Sequence, residues 1–231
     1  MAQGTHHVSI QLAAMIGPPK DLLTLLKEGK SSEDEIVGIL ASSESGRDPL
    51  QDRADRVVHM QDKDGWTPLH WAAQDGLTRA AVKLLSLGAT VNAADKCGAT
   101  PLMIASFNGH IGIIEALLKE RSIDKWQGNV FKGTAVHYAA MRGHAAVIEM
   151  LVQSKADFDA TDKHGDTPLS WAARNGYIEA VQKLVELGAD PLNDNNASED
   201  PIELALGAGH TACAEALQDA VDDPDLLANS I

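Results

Sequence analysis

Aromatic residues are scarce in this chain: four Trp, two Tyr and three Phe make up 4% of its 231 residues. A core organised around large rings is excluded, so Leu, Ala, Val and Ile must fill the interior. Cysteine is scarcer still. Cys97 and Cys213 are too few for a disulfide framework, and they read as reduced thiols of a cytoplasmic protein. No apolar run approaches the roughly 20 residues that a membrane-spanning helix requires. The N-terminal residues have no basic stretch leading into a long apolar one, so neither a secretory signal nor membrane insertion is expected. Positive charge is also short, with 19 Lys and Arg against 33 Asp and Glu, a formal net charge of −14. That balance argues against nucleic acid or an anionic membrane surface as the partner.

Catalytic signals are missing as well. Gly29-Lys30-Ser31 has the form of the end of a phosphate-binding loop, but Thr24 stands where that loop needs its first glycine. His6-His7 has no Cys or acid at ligand spacing beside it. The sequence therefore predicts no enzyme, no catalytic residue, no metal and no cofactor.

What the chain has in abundance is internal repetition. Thr67-Pro68-Leu69-His70 returns as Thr100-Pro101-Leu102-Met103, Thr134-Ala135-Val136-His137, Thr167-Pro168-Leu169-Ser170 and Asp200-Pro201-Ile202-Glu203, in steps of 33, 34, 33 and 33 residues. A fixed period of this length marks a solenoid of stacked units. Each unit explains itself locally. Thr67 is an N-cap, and Pro68 takes the first helical position, where its missing N–H costs nothing. Leu69, Ala72 and Ala73 give a short helix with a small-residue face that lets a neighbour come close. Gly76 ends that helix. Thr78 is read as the cap of a second helix, with Ala81, Leu84 and Leu85 on its buried face. A turn through Asp95-Lys96-Cys97-Gly98 leads to the next unit. No single unit can bury its own apolar face, so each completes its core against its neighbours.

These residues resemble the ankyrin repeat: the Thr-Pro-Leu-His pattern, the following Ala-Ala pair, the glycines at Gly76, Gly109, Gly143, Gly176 and Gly209, and Leu-Gly-Ala at 87–89 and 187–189. The resemblance implies an all-α solenoid of helix-turn-helix units joined by short β-hairpin-like turns. It also implies structural, hydrogen-bonding roles for His70 and His137. The chain divides into a degenerate N-terminal capping repeat over 1–30, a divergent repeat or insertion over 31–61, ankyrin repeats with a C-terminal cap over 62–221, and a tail over 222–231. Within these, Lys20–Glu28 and a segment starting near Glu33 are expected to be helical, and Pro49–Val58 is read as a distorted helix or loop. The connection between the second and third repeats, RSIDKWQGNVFKG, carries the one extra residue, with Arg121 where Gly88 stands in the first repeat.

The function expected is binding of another protein, as an adaptor or scaffold. The alternatives are a fixed subunit of a large complex, or an assembly chaperone of the gankyrin type, which the length and the Thr134–His137 unit resemble. In ankyrin-like folds the hairpin tips and first helices face a concave groove. On that face Trp66, Phe107, Trp126 and Phe131 are candidate apolar anchors. Lys63, Lys96, Lys163, Arg142 and Arg174 are candidate contacts for an acidic segment of the partner. The stripe Trp71, Ile104, Tyr138, Trp171 and Leu204 is read as core. Leu102, Leu117 and Leu118 are expected at its centre, and Asn92 as a turn residue.

Overall fold

The computed structural model describes residues 22–29, 31–42 and 58–222. Among these residues there are twelve helices and no strand. In chain order they are α1 (Leu22–Glu28), α2 (Glu33–Ser42), α3 (Pro68–Asp75), α4 (Thr78–Ser86), α5 (Pro101–Asn108) and α6 (Ile111–Leu118). Then follow α7 (Ala135–Met141), α8 (Ala145–Gln153), α9 (Pro168–Asn175), α10 (Ile178–Glu186), α11 (Pro201–Gly207) and α12 (Thr211–Asp222).

The helices stack in two rows. First helices α3, α5, α7, α9 and α11 pack on one another as an inner row, and the second helices form an outer row. The outer row is loosest between α6 and α8, the two helices that flank the 34-residue step. Helix α1 packs on α3, and α2 packs on α4, so together they extend both rows by one unit. Of the segment Pro49–Val58, residues 49–57 lie outside the described residues, as do the tail beyond Asp222 and His6-His7.

The sequence pattern accounts for the packing. Leu69, Ala72 and Ala73 of α3 and their counterparts Val136, Ala139, Ala140, Leu169, Ala172 and Ala173 are fully buried. Alanines in that register leave room for the neighbouring inner helix, so one Leu or Val per helix supplies most of the buried volume. A leucine moved from water into such a core contributes roughly 1.5–3 kcal/mol. Leu102 and Leu117 are buried as expected, while Leu118 is only partly so. The cap of α4 is Leu77 rather than Thr78, which is the helix's first residue; its hydroxyl lies 3.5 Å from the Gly76 carbonyl. Asp200 does cap α11, its side chain accepting the Glu203 amide at 2.7 Å.

His70 and His137 tie adjacent units together. The His70 Nε2–H donates to the Ala99 carbonyl at 3.1 Å, which leaves Nδ1 to accept from the Thr67 amide and hydroxyl at 3.1 and 2.8 Å. His137 repeats this with the Asp166 carbonyl and Thr134. A neutral ring satisfies every partner, and burial lowers both pKa values by penalising the cation. In the fourth repeat, Ser170 Oγ takes over the acceptor role toward the Thr167 amide.

Candidate functional site

The connections between repeats end in five tips of one design. At the base of each tip, an Asp or Asn side-chain oxygen accepts the backbone N–H groups two and four residues onward. Asp62 accepts from Asp64 and Trp66, Asp95 from Cys97 and Ala99, and Asn129 from Phe131 and Gly133. Asp162 accepts from His164 and Asp166, and Asn195 from Ala197 and Glu199. Short polar side chains favour this arrangement because they close the turn on their own backbone. Successive tips are joined by one backbone hydrogen bond each. Lys96 N–H donates to Asp64, Val130 to Cys97, Lys163 to Phe131 and Asn196 to His164, at 2.8–3.0 Å.

Charge at the tips is sorted by this geometry. The second carboxylate oxygen of Asp95 accepts the Trp66 indole N–H at 3.0 Å, and that of Asp162 accepts the Trp171 indole N–H at 3.1 Å. Asp62 instead holds Lys27 of α1 at 3.0 Å. Burial disfavours the ionised form of Asp62, but the Lys27 ammonium and the Trp66 and Asp64 amides outweigh that and hold its pKa at about 2. The base acids are thus turned inward and satisfied. Lys63, Lys96 and Lys163, at one register position, remain exposed.

The expected anchors separate into two groups. Trp66 and Phe107 are half-buried rather than free. The Trp66 ring lies 4.8 Å from Trp71, and the Phe107 ring lies edge-on to Tyr138 at 6.2 Å with the Arg142 guanidinium 4.9 Å above it. Tyr138 in turn meets Trp171 at 5.7 Å. The stripe read as core is an inner aromatic row: Ile104 and Leu204 are buried, but Trp71, Tyr138 and Trp171 stay partly exposed. Trp126 and Phe131 are different, at 56% and 57% exposure. Lys125 lies over the Trp126 ring and Lys163 over the Phe131 ring. Arg174 is not a free cation, because it pairs with the buried Asp166 at 2.8 Å.

Several exposed apolar residues were not singled out by the sequence reading, among them Val82, Ile111, Ile178 and Leu192. Val130 is 45% exposed and Leu206, on α11, is 56% exposed. Val130 was findable by aligning Asn129 with Asp62, which sets Val130 in register with Lys63. Leu206 had no such signal. Asn92 lies in a turn as expected, but its side chain bonds the following connection rather than its own turn: its amide donates to Ser122 O at 2.6 Å and its oxygen accepts the Asp124 N–H at 2.9 Å. Among the described residues, no three His, Cys, Asp or Glu side chains converge as a metal site, and no helix is long and apolar enough to cross a membrane.

The comparisons with known proteins agree with this architecture. A family model described as ankyrin repeats (3 copies) matches residues 11–129 and 123–195. The E3 ubiquitin-protein ligase XBAT33 of Arabidopsis thaliana is 37% identical over 102 residues, 44% of this chain and 19% of that protein. Neurogenic locus notch homolog protein 1 of Xenopus tropicalis is 31% identical over 180 residues, 78% of this chain and 7% of that protein. The B-cell lymphoma 3 protein homolog of Mus musculus is 32% identical over 114 residues, 48% of this chain and 25% of that protein. The chain therefore spans a quarter or less of the length of these relatives. Ankyrin repeats are protein-interaction modules, and with the two-row stack, the periodic tips and the family match in agreement, this chain belongs to the ankyrin-repeat family.

Proposed function

We propose that the chain is a non-catalytic cytoplasmic adaptor or scaffold that holds an acidic segment of a partner protein across its concave face, on the tips and first helices of the repeats starting at Thr67, Thr100, Thr134 and Thr167. The observation that carries this reading is the sorting of charge at the tips. The Asp95 and Asp162 oxygens are consumed by backbone and indole N–H groups. The lysines in the same tips remain exposed. A chain of net charge −14 thereby presents exposed ammonium groups along this edge, with the Asp95 and Asp162 carboxylates set beneath them. Such an edge speeds the approach of an acidic segment and fixes its register more than it adds affinity.

The test is affinity capture from native lysate with three baits: the wild type, Lys63→Glu with Lys163→Glu, and Lys83→Glu with Lys183→Glu on the outer helices. The expected result is a set of proteins held by the wild type and the outer-helix variant and lost by the tip variant. Loss with the outer-helix variant and retention with the tip variant would place the partner on the opposite face.

A further inference from the structure

The tip of the third repeat breaks the pattern of its neighbours in a way that folding does not require. The position occupied by Lys63, Lys96 and Lys163 is Val130, and the next, Asp64, Cys97 and His164 elsewhere, is Phe131. The fifth tip carries Asn196 and Ala197, so no other tip has large apolar residues at both positions, yet here two such side chains stand 45% and 57% exposed. The third position, filled by Gly65, Gly98 and Gly165 with positive φ, is Lys132 at φ 63, as it is Ser198 at φ 59 in the fifth tip. A left-handed conformation costs a residue with a Cβ roughly 1–2 kcal/mol, and backbone outliers of this kind gather at functional sites.

The backbone under these side chains is held on both sides. Val130 N–H bonds to Cys97 O, and Phe131 O accepts Lys163 N–H, each at 2.9 Å. Asn129 Oδ1 closes the turn from within through the Phe131 and Gly133 amides. The two side chains are therefore presented on a fixed frame, and a ligand meeting them loses little further backbone freedom. Ammonium groups flank them on the exposed side: Lys96 and Lys163 belong to the adjoining tips, Lys163 lies 5.8 Å from the Phe131 ring centroid, and Lys132 follows directly. The Asp95 and Asp162 oxygens beside them are engaged, as described above.

We infer that Val130 and Phe131 form the apolar anchor of the module, seating one large apolar side chain of an acidic partner segment whose carboxylates lie against Lys96, Lys132 and Lys163. This rests on the acidic-segment reading and names the place within the face where affinity is concentrated. It moves that place away from Trp66 and Phe107, whose rings are already engaged by Trp71, Tyr138 and Arg142. A second copy of the chain is a poorer occupant, because a two-fold contact would set the same lysines against each other.

The test uses fluorescein-labelled short peptides of Glu and Asp with a central Leu, a central Phe or, as control, a central Ser, titrated against the full chain by anisotropy at two salt concentrations. The apolar-centred peptides should bind more tightly. Val130→Ser with Phe131→Ser should weaken them on the order of tenfold, leave the Ser-centred peptide unchanged and leave the thermal melt unchanged. Lys96→Gln with Lys163→Gln should weaken all three peptides and flatten the salt dependence. Equal binding of Leu-, Phe- and Ser-centred peptides, or no loss in the Val130/Phe131 variant, overturns the anchor while the acidic-segment reading stands. Indifference of every peptide to the lysine substitutions overturns the acidic-segment reading and the anchor with it. A dimer that the Val130/Phe131 variant dissociates assigns the patch to a second copy and also overturns the proposal.

Discussion

The first and second inter-repeat joints are built on the same plan, and one added residue separates them. At the first joint, α4 and α6 pack side by side, and the tip Asp95-Lys96-Cys97-Gly98 turns through a glycine at φ 78. At the second joint, the outer helices α6 and α8 draw apart, and Lys125, in the connection that follows α6, donates its ammonium to the Ser154 carbonyl at the end of α8. Here Lys132 replaces the glycine, and apolar residues replace the polar ones at the tip. The inner row passes both joints without interruption. The extra residue is therefore absorbed between α6 and the tip, because Asn129 stands five residues before Thr134 just as Asp95 stands five before Thr100, and the inner helices that hold the stack together are undisturbed.

The sharpest way to break this comparison is to open the core at each joint. Leu84→Ala in α4 and Leu117→Ala in α6 each remove a fully buried side chain and should cost about 2–5 kcal/mol, read by denaturant melts. Leu117→Ala should fall toward the lower end, because the looser outer row beside it can relax into the gap. Equal losses would show that the two joints are equally rigid.

Backbone strain gives a smaller and opposite pair of effects. A Cβ on Gly98 would lie 3.0 Å from the Val130 backbone nitrogen, in the tip-to-tip bond itself. Gly98→Ala combines that crowding with a left-handed backbone and should destabilise by about 1–3 kcal/mol. Lys132→Gly relieves strain at the matching position and should stabilise by about 1 kcal/mol. If both changes prove neutral in thermal melts, the tips are not under the constraint described.

Acidity discriminates between units in another way. His70 and His137 are neutral and their pKa values lie below the ordinary one, so the unfolded chain takes up their protons first as the pH falls. The stability linked to their neutral form is present above about pH 6.5, the unfolded value, and declines as the pH drops below it, by up to about 1.4 kcal/mol per pH unit for each ring. Urea melts at neutral pH and near pH 5.5 should show that slope. His70→Ser with His137→Ser, copying the box that Thr167 and Ser170 form, should flatten it. An unchanged slope in that variant would move the sensitivity elsewhere.

The smallest effect expected is at Asp62. Its low pKa means that the Lys27 contact persists above about pH 4 and weakens as the pH falls toward 2. With Lys27 partly exposed, Lys27→Gln should cost no more than about 1 kcal/mol, measured as a shift in melting temperature at neutral pH.

Much of this was legible because each repeat states its own structure. Thr67-Pro68 starts a helix, Gly76 ends it and Ala72-Ala73 shapes its face, and every signal lies within a few residues of what it specifies. The extra residue before Thr134 and the exposed Trp126 and Phe131 were legible too. What escaped runs between repeats. The Trp66 indole finds Asp95 in the next tip, 29 residues away, and Phe107 shares its faces with Tyr138 and Arg142 of the following repeat. Half-burial of an aromatic on an inner helix depends on how far its neighbour is rotated and shifted, which no local pattern states. Arg174 read as a free cation because Asp166, its partner, sits in a tip rather than at helical spacing. The rows that α1 and α2 join were not legible for a related reason: a degenerate unit keeps its apolar spacing but loses the tip that would mark where it begins.

The single backbone bond that joins each tip to the next has a mechanical meaning. Asp64, Cys97, Phe131 and His164 each hand one carbonyl to the unit that follows. Pulled from its two ends, such an array carries the load through joints in series, and each joint contains one such link together with the helix contacts behind it. The chain would lengthen in steps of one repeat, each releasing about 33 residues.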